Sequence, residues 1–182
     1  CYIVIAGDRG LAGGYNSNIF KLTTAHMDGK QEKVMTVGKK ATEFFQKRGY
    51  DVLAAEESVE KCDYDRTLAL ANQAMDLYKK GEIDELYICY TEFISPLTQN
   101  PKLMKILPLA FDKEEVKSKE NSGRRARVQY LPSPEAVLSY VIPKYVSGIV
   151  YGSVIESFAS EQSARRNAMK SASDNADEML ST

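Results

Sequence analysis

Residues 133–182 read SPEAVLSYVIPKYVSGIVYGSVIESFASEQSARRNAMKSASDNADEMLST, and this stretch predicts one helix far longer than a chain of this size can bury. Ser133 can cap the first free backbone N–H groups, Pro134 suits the first helical position, and Glu135 lies favourably in the positive first turn. The helix is therefore expected to begin at these residues and to project as a shaft.

The first half of this helix has apolar residues three and four positions apart, the spacing of an amphipathic helix that packs on a body. Pro143 lies inside the pattern and removes one backbone hydrogen bond at a cost of about 3 kcal/mol, so the sequence predicts a kink or a break near Ser139. Gly148 and Gly152 weaken the same region further. The apolar residues are Leu138, Val141, Ile142, Tyr145, Ile149, Val154, Ile155 and Phe158.

Beyond Phe158 the apolar pattern narrows to a seam of small side chains, four residues apart, on an otherwise polar helix. Alanines let a second helix approach closely. A repeat of four residues drifts around a straight helix, so the helix must wind about its partner or contact it only over a short length. The alternative is a solvated terminal helix, but a polar helix usually needs tertiary packing to be stable. We therefore interpret the seam as one side of a helix pair whose partner is missing. Its members are Ala164, Ala168, Ala172 and Ala176.

The chain has 182 residues, 43% of them hydrophobic, with 24 basic and 25 acidic side chains. This is enough for one globular domain, expected at 1–132, and a projecting helix at 133–182. A net charge of −1 gives no overall electrostatic reason to bind nucleic acid or an anionic membrane, and no apolar run approaches the roughly 20 residues that span a bilayer. Neither nucleic-acid binding nor membrane insertion is expected.

Cys1, Cys62 and Cys89 are odd in number, scattered and without a CxxC pair, which supports neither a disulfide framework nor a zinc site. A reducing compartment fits this cysteine usage best. The single histidine, His26, has no histidine or cysteine nearby at ligand spacing, so no metal is expected. The sequence opens directly in a strand without an initiator methionine, which we interpret as a fragment cut at its front.

Between a first strand at 1–6 and a helix, residues 7–16 read GDRGLAGGYN, and strand, glycine loop and helix is also the order of phosphate sites. The spacing fits neither template, because GxGxxG would require glycines where Arg9 and Ala12 stand, and a P-loop would require GK[ST] after Ala12. A structural turn is favoured, with Asn16 as a possible helix cap and an Asp8–Arg9 ion pair. The residues assigned to this structural role are Gly7, Asp8, Arg9, Gly10, Gly13, Gly14 and Asn16. A nucleotide-binding α/β enzyme that uses the loop from Gly7 to Gly14 remains as an alternative function.

The middle of the chain alternates strand and helix, which implies a largely parallel sheet with helices on both faces. Asp63 is expected to cap the clearest of these helices. The connection at 96–101 is too short for a parallel crossover, so it predicts a β-hairpin and a mixed sheet. The predicted strands lie at 33–38, 51–54, 86–93, 103–109 and 128–131, the helices at 39–48 and 63–80, and a charged loop at 112–126.

No catalytic constellation is found in the sequence. There is no GxSxG elbow, no plausible catalytic histidine and no cluster of metal ligands, so general acid–base and nucleophilic chemistry have no candidates. Arg124, Arg125 and Arg127 follow acidic residues and lack aromatic neighbours, which indicates a solvated loop rather than a nucleic-acid site. The sequence therefore predicts no catalytic residue.

Two motifs resemble the γ subunit of the F-type ATP synthases. The glycine turn resembles the family pattern [SD]-R-G-L-[CA]-G-G-x-N, and residues 159–170, ASEQSARRNAMK, resemble the family segment A-S-E-x-x-A-R-x-x-A-M-K. The continuation ASDNA at 172–176 and the strand TEFI at 91–94 also fit. The resemblance covers essentially the whole chain.

This resemblance implies a Rossmann-like three-layer α/β domain at the foot of a stalk, and a long C-terminal helix in an antiparallel coiled coil with an N-terminal helix. This sequence lacks that N-terminal helix and the final C-terminal signature, which would explain the alanine seam. The family subunit is a non-catalytic rotor: ion flow, of protons or in some members of sodium, turns the shaft and drives the β-subunit sites through their binding states. The implied partners are the α and β subunits, arranged as a hexamer, the ε subunit and the c-ring, with no cofactor.

By matching motifs, Glu161, Gln162 and Arg165 are expected to face the catalytic β subunits, with Arg165 able to bind backbone or carboxylate groups bidentately. Tyr130 is expected near the foot, facing ε and the c-ring. Plastid members carry a two-cysteine insertion near 112–126, and this chain has no cysteine there. A bacterial type at the cytoplasmic face of the cell membrane is therefore expected. A coiled-coil module that self-associates through 164–176 is a further alternative.

Overall fold

The computed structural model describes residues 1–29, 31–109 and 130–181, in which strands and helices alternate as predicted. The strands are β1 (Tyr2–Ile5), β2 (Lys33–Val37), β3 (Asp51–Glu56), β4 (Leu86–Ser95) and β5 (Thr98–Leu107). The helices are α1 (Tyr15–His26), α2 (Lys39–Lys47), α3 (Tyr64–Lys79) and α4 (Pro134–Ser181). The predicted loop at 112–126, the residues Arg124, Arg125 and Arg127, and the first half of the predicted strand at 128–131 lie outside the described residues. Tyr130 and Leu131, the other half of that predicted strand, are not in a strand.

The five strands form one sheet in the order β3–β2–β1–β4–β5. β1 pairs in parallel with β2 and β4, and β5 pairs antiparallel with β4, so the predicted mixed, mostly parallel sheet is confirmed. The hairpin turn is shorter than predicted, because β5 begins at Thr98, opposite Ser95, instead of at Leu103. Pro101 is tolerated within β5 because this strand lies at the sheet edge, where one side needs no ladder hydrogen bonds.

Hydrophobic cores lie on both faces of the sheet, which makes the body a three-layer α/β domain. Alternate residues of β1 divide between the two cores. Ile3 and Ile5 belong to the core formed with α3 and α4, whereas Tyr2 and Val4 belong to the core formed with α1 and α2. All four are at most 5% exposed. A strand that is apolar at every position is what a sheet covered on both faces requires.

Two helices begin at the caps that the sequence predicts. Asp63 Oδ1 accepts a hydrogen bond from the backbone N–H of Arg66 at 3.0 Å, at the start of α3. Ser133 Oγ accepts one from the backbone N–H of Ala136 at 3.3 Å, at the start of α4. Each cap satisfies a donor that the first helical turn leaves free.

The long helix α4 is continuous over 48 residues. The predicted break near Ser139 is wrong, because α4 runs through Pro143. Ser139 is exposed, so the carbonyl that Pro143 leaves without a helical donor can bind water. A kink of the helix axis at this point stays a prediction.

The face of α4 that packs on the body agrees only in part with the predicted one: Val154 is buried, and Ile142, Ile149 and Phe158 are partly buried against the same core. Val146, Val150 and Val154 are fully buried in the core that α4 shares with the sheet and α3. Apolar residues lie on almost every side of this half of the helix, so their spacing alone does not identify the buried face. Four residues predicted to pack are about half exposed: Leu138, Val141, Tyr145 and Ile155.

Candidate functional site

The turn between β1 and α1, residues 7–14, is closed by the side chain of Asn16. The Gly7 N–H donates to Asn16 Oδ1 at 2.8 Å, and Asn16 Nδ2 donates to the Arg9 carbonyl at 3.3 Å. Asn16 is therefore not the helix cap that the sequence predicts, since α1 begins at Tyr15 and Gly14 precedes it without a side-chain cap. The amide instead bridges two parts of the turn.

Asp8 ties the same turn to the connection between β3 and α3. Its Oδ2 accepts a hydrogen bond from Ser58 Oγ at 2.7 Å, and its Oδ1 accepts one from the Val59 N–H at 2.9 Å. The predicted ion pair between Asp8 and Arg9 is wrong, because the Asp8 carboxylate faces these donors and Arg9 bonds to Asn16 through its carbonyl. A carboxylate that accepts a backbone N–H bond stabilises a loop through a charge-assisted hydrogen bond.

The turn packs directly against α4, where it meets the carboxylate of Glu161. Glu161 is 2% exposed, and a β-carbon on Gly7 would lie 2.7 Å from Glu161 Cδ and Oε1. Any other residue at position 7 would force the Glu161 carboxylate to move, because the turn and α4 approach so closely. A buried carboxylate needs a compensating partner, and Arg165, one turn further along α4, forms an ion pair with it.

Arg165 joins the two motifs on which the family resemblance rests. Its Nη2 pairs with Glu161 Oε1, its Nη1 lies 3.4 Å from Gln162 Oε1, and its Nε lies 3.5 Å from the Gly10 carbonyl oxygen. The Arg165 side chain is 15% exposed. All three residues expected to face β subunits are thus in contact within the chain, with Glu161 buried, Arg165 partly buried and Gln162 exposed. Their role toward another subunit stays a prediction.

A cleft of about 290 Å³ opens beside this contact, between the glycine turn, the β4–β5 hairpin and α4. Two of the four seam alanines, Ala164 and Ala168, line it and are half-buried, whereas Ala172 and Ala176 are exposed. The first part of the predicted seam therefore faces the body of this chain. Tyr130, expected near the foot, is 47% exposed just before α4.

Serine residues of α4 for which the sequence predicts no role complete the hydrogen bonding of β4. β1 pairs with β4 only as far as Cys89. Beyond that point the Thr91 N–H donates to Ser157 Oγ at 3.2 Å, and Ser160 Oγ donates to the Thr91 carbonyl at 3.1 Å. The available signal is a set of polar residues three and four apart within an amphipathic helix, but spacing does not identify the strand that they bind.

Tyr15 anchors the start of α1 at the same place. Its hydroxyl donates to the Ser157 carbonyl at 2.8 Å. Burial raises the pKa of the Tyr15 hydroxyl well above its ordinary value, and the negative charge of Glu161 raises this pKa further. The phenol therefore stays protonated and remains a donor at neutral pH.

The geometry disfavours a nucleotide site in the glycine turn. The space beside Gly7 is filled by the Glu161 carboxylate, which leaves no room there for a phosphate group. Within residues 1–29, 31–109 and 130–181, no group of three or more His, Cys, Asp or Glu side chains is placed to hold a metal ion. None of the helices in these ranges combines the length and apolar character that a membrane span requires.

Known proteins resemble this chain along its whole length. A family model described as ATP synthase matches residues 1–182. The "ATP synthase gamma chain" of Alkaliphilus metalliredigens is 41% identical over 181 residues, which cover 98% of this chain and 63% of that protein. The "ATP synthase gamma chain, sodium ion specific" of Acetobacterium woodii is 41% identical over 194 residues, which cover 98% of this chain and 64% of that protein. The chain thus spans a little under two thirds of these relatives.

Solved structures share the fold. The central stalk and c-ring structure of the Tetrahymena thermophila mitochondrial ATP synthase contains a chain that matches with a TM-score of 0.72 and 21% identity, over 94% of this chain and 75% of that one. A chain of the Euglena gracilis mitochondrial ATP synthase rotor matches with a TM-score of 0.69 and 18% identity, over 99% of this chain and 68% of that one. At these identities the likeness supports the fold.

Proposed function

The chain belongs to the ATP synthase gamma-chain family, and we propose that it forms part of the non-catalytic rotor, or central stalk, of a proton-translocating F-type ATP synthase. The observation that carries this proposal is the length of α4 and the exposure of its C-terminal part. Its middle is anchored to the body by Val146, Val150 and Val154, but residues 171–181 are exposed on every side. At 1.5 Å per residue, the 48 residues of α4 span about 70 Å. Such a helix is suited to reach into a larger assembly.

A second, antiparallel helix is proposed to cover a line of exposed apolar residues on α4. We call these residues the exposed stripe. Successive members are three, four, ten and fourteen positions apart, which fits a seven-residue repeat and places them on one side of the helix. Gly148 and Gly152 lie on the same line, with no atom within 4 Å of the place where their β-carbons would be, and would let two backbones approach. The exposed stripe consists of Leu138, Val141, Tyr145, Ile155 and Met169.

In this proposal the subunit transmits torque and performs no chemistry of its own. Ion flow turns the c-ring, the sheet domain at the foot turns with the c-ring and the ε subunit, and the shaft turns inside the hexamer of α and β subunits. The asymmetric shaft then moves each β catalytic site through its binding states. Tyr130, exposed just before α4, would lie at the foot. The complex would be peripheral to a bacterial membrane, on its cytoplasmic face.

The three residues expected to face β subunits differ in what they can offer a partner. Gln162 is exposed, and its Oε1 lies 3.4 Å from Arg165 Nη1. Glu161 is buried and Arg165 has only 15% of its side chain exposed. We infer that Gln162 and the outer edge of the Arg165 guanidinium make the contact with other subunits, while Glu161 acts inside the chain.

Reconstitution of the full-length subunit with α, β and ε tests this function. The expected result is a complex whose ATP hydrolysis is coupled to ion pumping once it is joined to the membrane sector. A full-length subunit that does not assemble with α and β would overturn the proposal. Titration of the chain with ATP, ADP and NAD gives an independent check, because binding at micromolar concentration would favour the nucleotide-binding enzyme.

A further inference from the structure

We propose that the buried Glu161–Arg165 pair, held against Gly7 and Gly10, is a positioning latch that fixes the rotational setting of α4 on the sheet domain. This inference deepens the proposed rotor function and rests on it for its biological meaning. The latch would hold the sheet domain and α4 in one fixed relative orientation, so that the two rotate together.

The close contact at Gly7 fixes which side of α4 faces the turn. The turn comes so close to α4 at Gly7 that a β-carbon would lie 2.7 Å from Glu161 Cδ and 3.2 Å from Asn16 Oδ1. Asn16 and Asp8 hold the turn in place from the other side, through hydrogen bonds to the Gly7 N–H and the Val59 N–H. The helix therefore meets a supported backbone surface rather than a loop that could follow its movement.

Charge makes the setting specific. Glu161 is 2% exposed, and its carboxylate is neutralised by Arg165, whose Nε also lies 3.5 Å from the Gly10 carbonyl oxygen. A rotation of α4 by one residue, about 100°, would carry both side chains away from the turn and leave the site without its paired charges. A buried ion pair is often no better for stability than apolar side chains, and fixing one register among several is its best-attested use.

The neighbouring contacts of α4 do not select a rotational setting so strongly. The valine face at Val146, Val150 and Val154 is an apolar stripe, which tolerates small shifts along or about the helix axis. The hydrogen bonds of Ser157 and Ser160 to Thr91 join buried neutral groups, and leaving such a group unpaired costs less than leaving a buried charge unpaired. A rotated helix would keep the Glu161–Arg165 pair, which lies within α4, but it would lose the fit of that pair against Gly7 and the bond from Arg165 Nε to the Gly10 carbonyl.

Distance measurement between spin labels tests the latch in the full-length subunit. Labels are attached to cysteines introduced at Lys47 and Lys170, two exposed positions on α2 and α4, with other accessible cysteines replaced by serine. The unsubstituted subunit is expected to give one narrow distance. Glu161→Gln and Arg165→Lys are each expected to lose that single distance, giving a broader distribution or a second population. Glu82→Gln, which removes the exposed Lys33–Glu82 pair, is the matched control and is expected to keep it.

The outcomes separate the latch from the rotor function. A lower melting temperature with an unchanged narrow distance, in both latch variants, would show that the pair is merely stabilising and would overturn the latch. If Glu161→Gln does not fold, Arg165→Lys, which keeps the positive charge, decides the question. In the assembled synthase the latch variants are expected to pump fewer ions per ATP hydrolysed than the control. Failure of the unsubstituted subunit to assemble would instead overturn the rotor function, whatever the label distances are.

Discussion

The backbone of Gly7 lies against the buried carboxylate of Glu161, so closely that a β-carbon at position 7 would stand 2.7 Å from the carboxyl carbon. The glycine follows the first strand of the sheet, and the glutamate belongs to the long helix α4. Arg165 extends the contact from Glu161 to the Gly10 carbonyl. Two motifs near opposite ends of the sequence therefore form one interface, which holds the long helix on the sheet domain.

Replacing Gly7 by alanine is expected to lower the free energy of unfolding by about 1–3 kcal/mol, because the added methyl group overpacks a site whose neighbour is held by Arg165. Urea unfolding followed by circular dichroism measures this loss. Gly29→Ala is the matched control, since no atom lies within 4 Å of a β-carbon there, and its effect should stay within about 0.5 kcal/mol. Equal effects of the two substitutions would contradict the tight contact.

Ser157→Ala is expected to cost about 1–3 kcal/mol, because it leaves the buried N–H of Thr91 without its acceptor. Hydrogen exchange followed by mass spectrometry or NMR should show faster exchange at the Thr91 amide. Ser139→Ala removes an exposed hydroxyl that donates to the Ala136 carbonyl in the same helix, and should leave the Thr91 amide unchanged. Unaltered exchange at Thr91 in the Ser157 variant would mean that α4 does not support β4 in this way.

Stability is expected to fall in alkaline solution. Burial raises the pKa of the Cys89 thiol from 9.0 to about 12 and that of Tyr2 from 10.0 to about 12, and it also raises the pKa of Tyr15. The unfolded chain releases these protons at lower pH than the folded chain. Their contribution to the free energy of unfolding is therefore fully present below about pH 9 and is lost as the pH rises toward 12.

Urea midpoints measured from about pH 8 to pH 11 test this expectation. Tyr15→Phe cannot ionise, so this variant should lose less stability between the two pH values, although its midpoint at pH 8 is lower because the bond to Ser157 is gone. Tyr145→Phe, at an exposed position, serves as the control. If the Tyr15 variant and the unsubstituted chain lost stability in parallel, Tyr15 would not contribute to the alkaline transition.

Gly152→Ala is expected to stabilise this chain by about 0.5–1 kcal/mol, since an exposed helical glycine is replaced by a better helix former with no atom in its way. In the full-length subunit the gain should vanish or reverse, because the methyl group would obstruct the proposed second helix. Asn175→Ala, exposed and off the exposed stripe, should give the same gain in both. A gain from Gly152→Ala that is equal in both proteins would argue against a helix on this side.

Features that depend on neighbouring residues could be predicted from the sequence. Asp63 and Ser133 each cap a backbone N–H group three residues away, so the starts of α3 and α4 are visible in short motifs. The few residues around Pro96 leave no room for a parallel crossover, so the hairpin and the mixed sheet follow as well. The sequence by itself determined most of the helices and strands, their alternation along the chain and the mixed kind of sheet that they form.

Tertiary structure alone decided where the polar side chains find partners. Local spacing marks Asn16 as a helix cap and Asp8 as the partner of Arg9, but the folded chain offers them the Gly7 N–H and the donors of Ser58 and Val59. The same spacing does not distinguish the valines of α4 that are buried from the apolar residues that are exposed. The physical reason is competition: a side chain binds the best-placed group in space, and that group belongs to a segment whose position the sheet fixes only after folding.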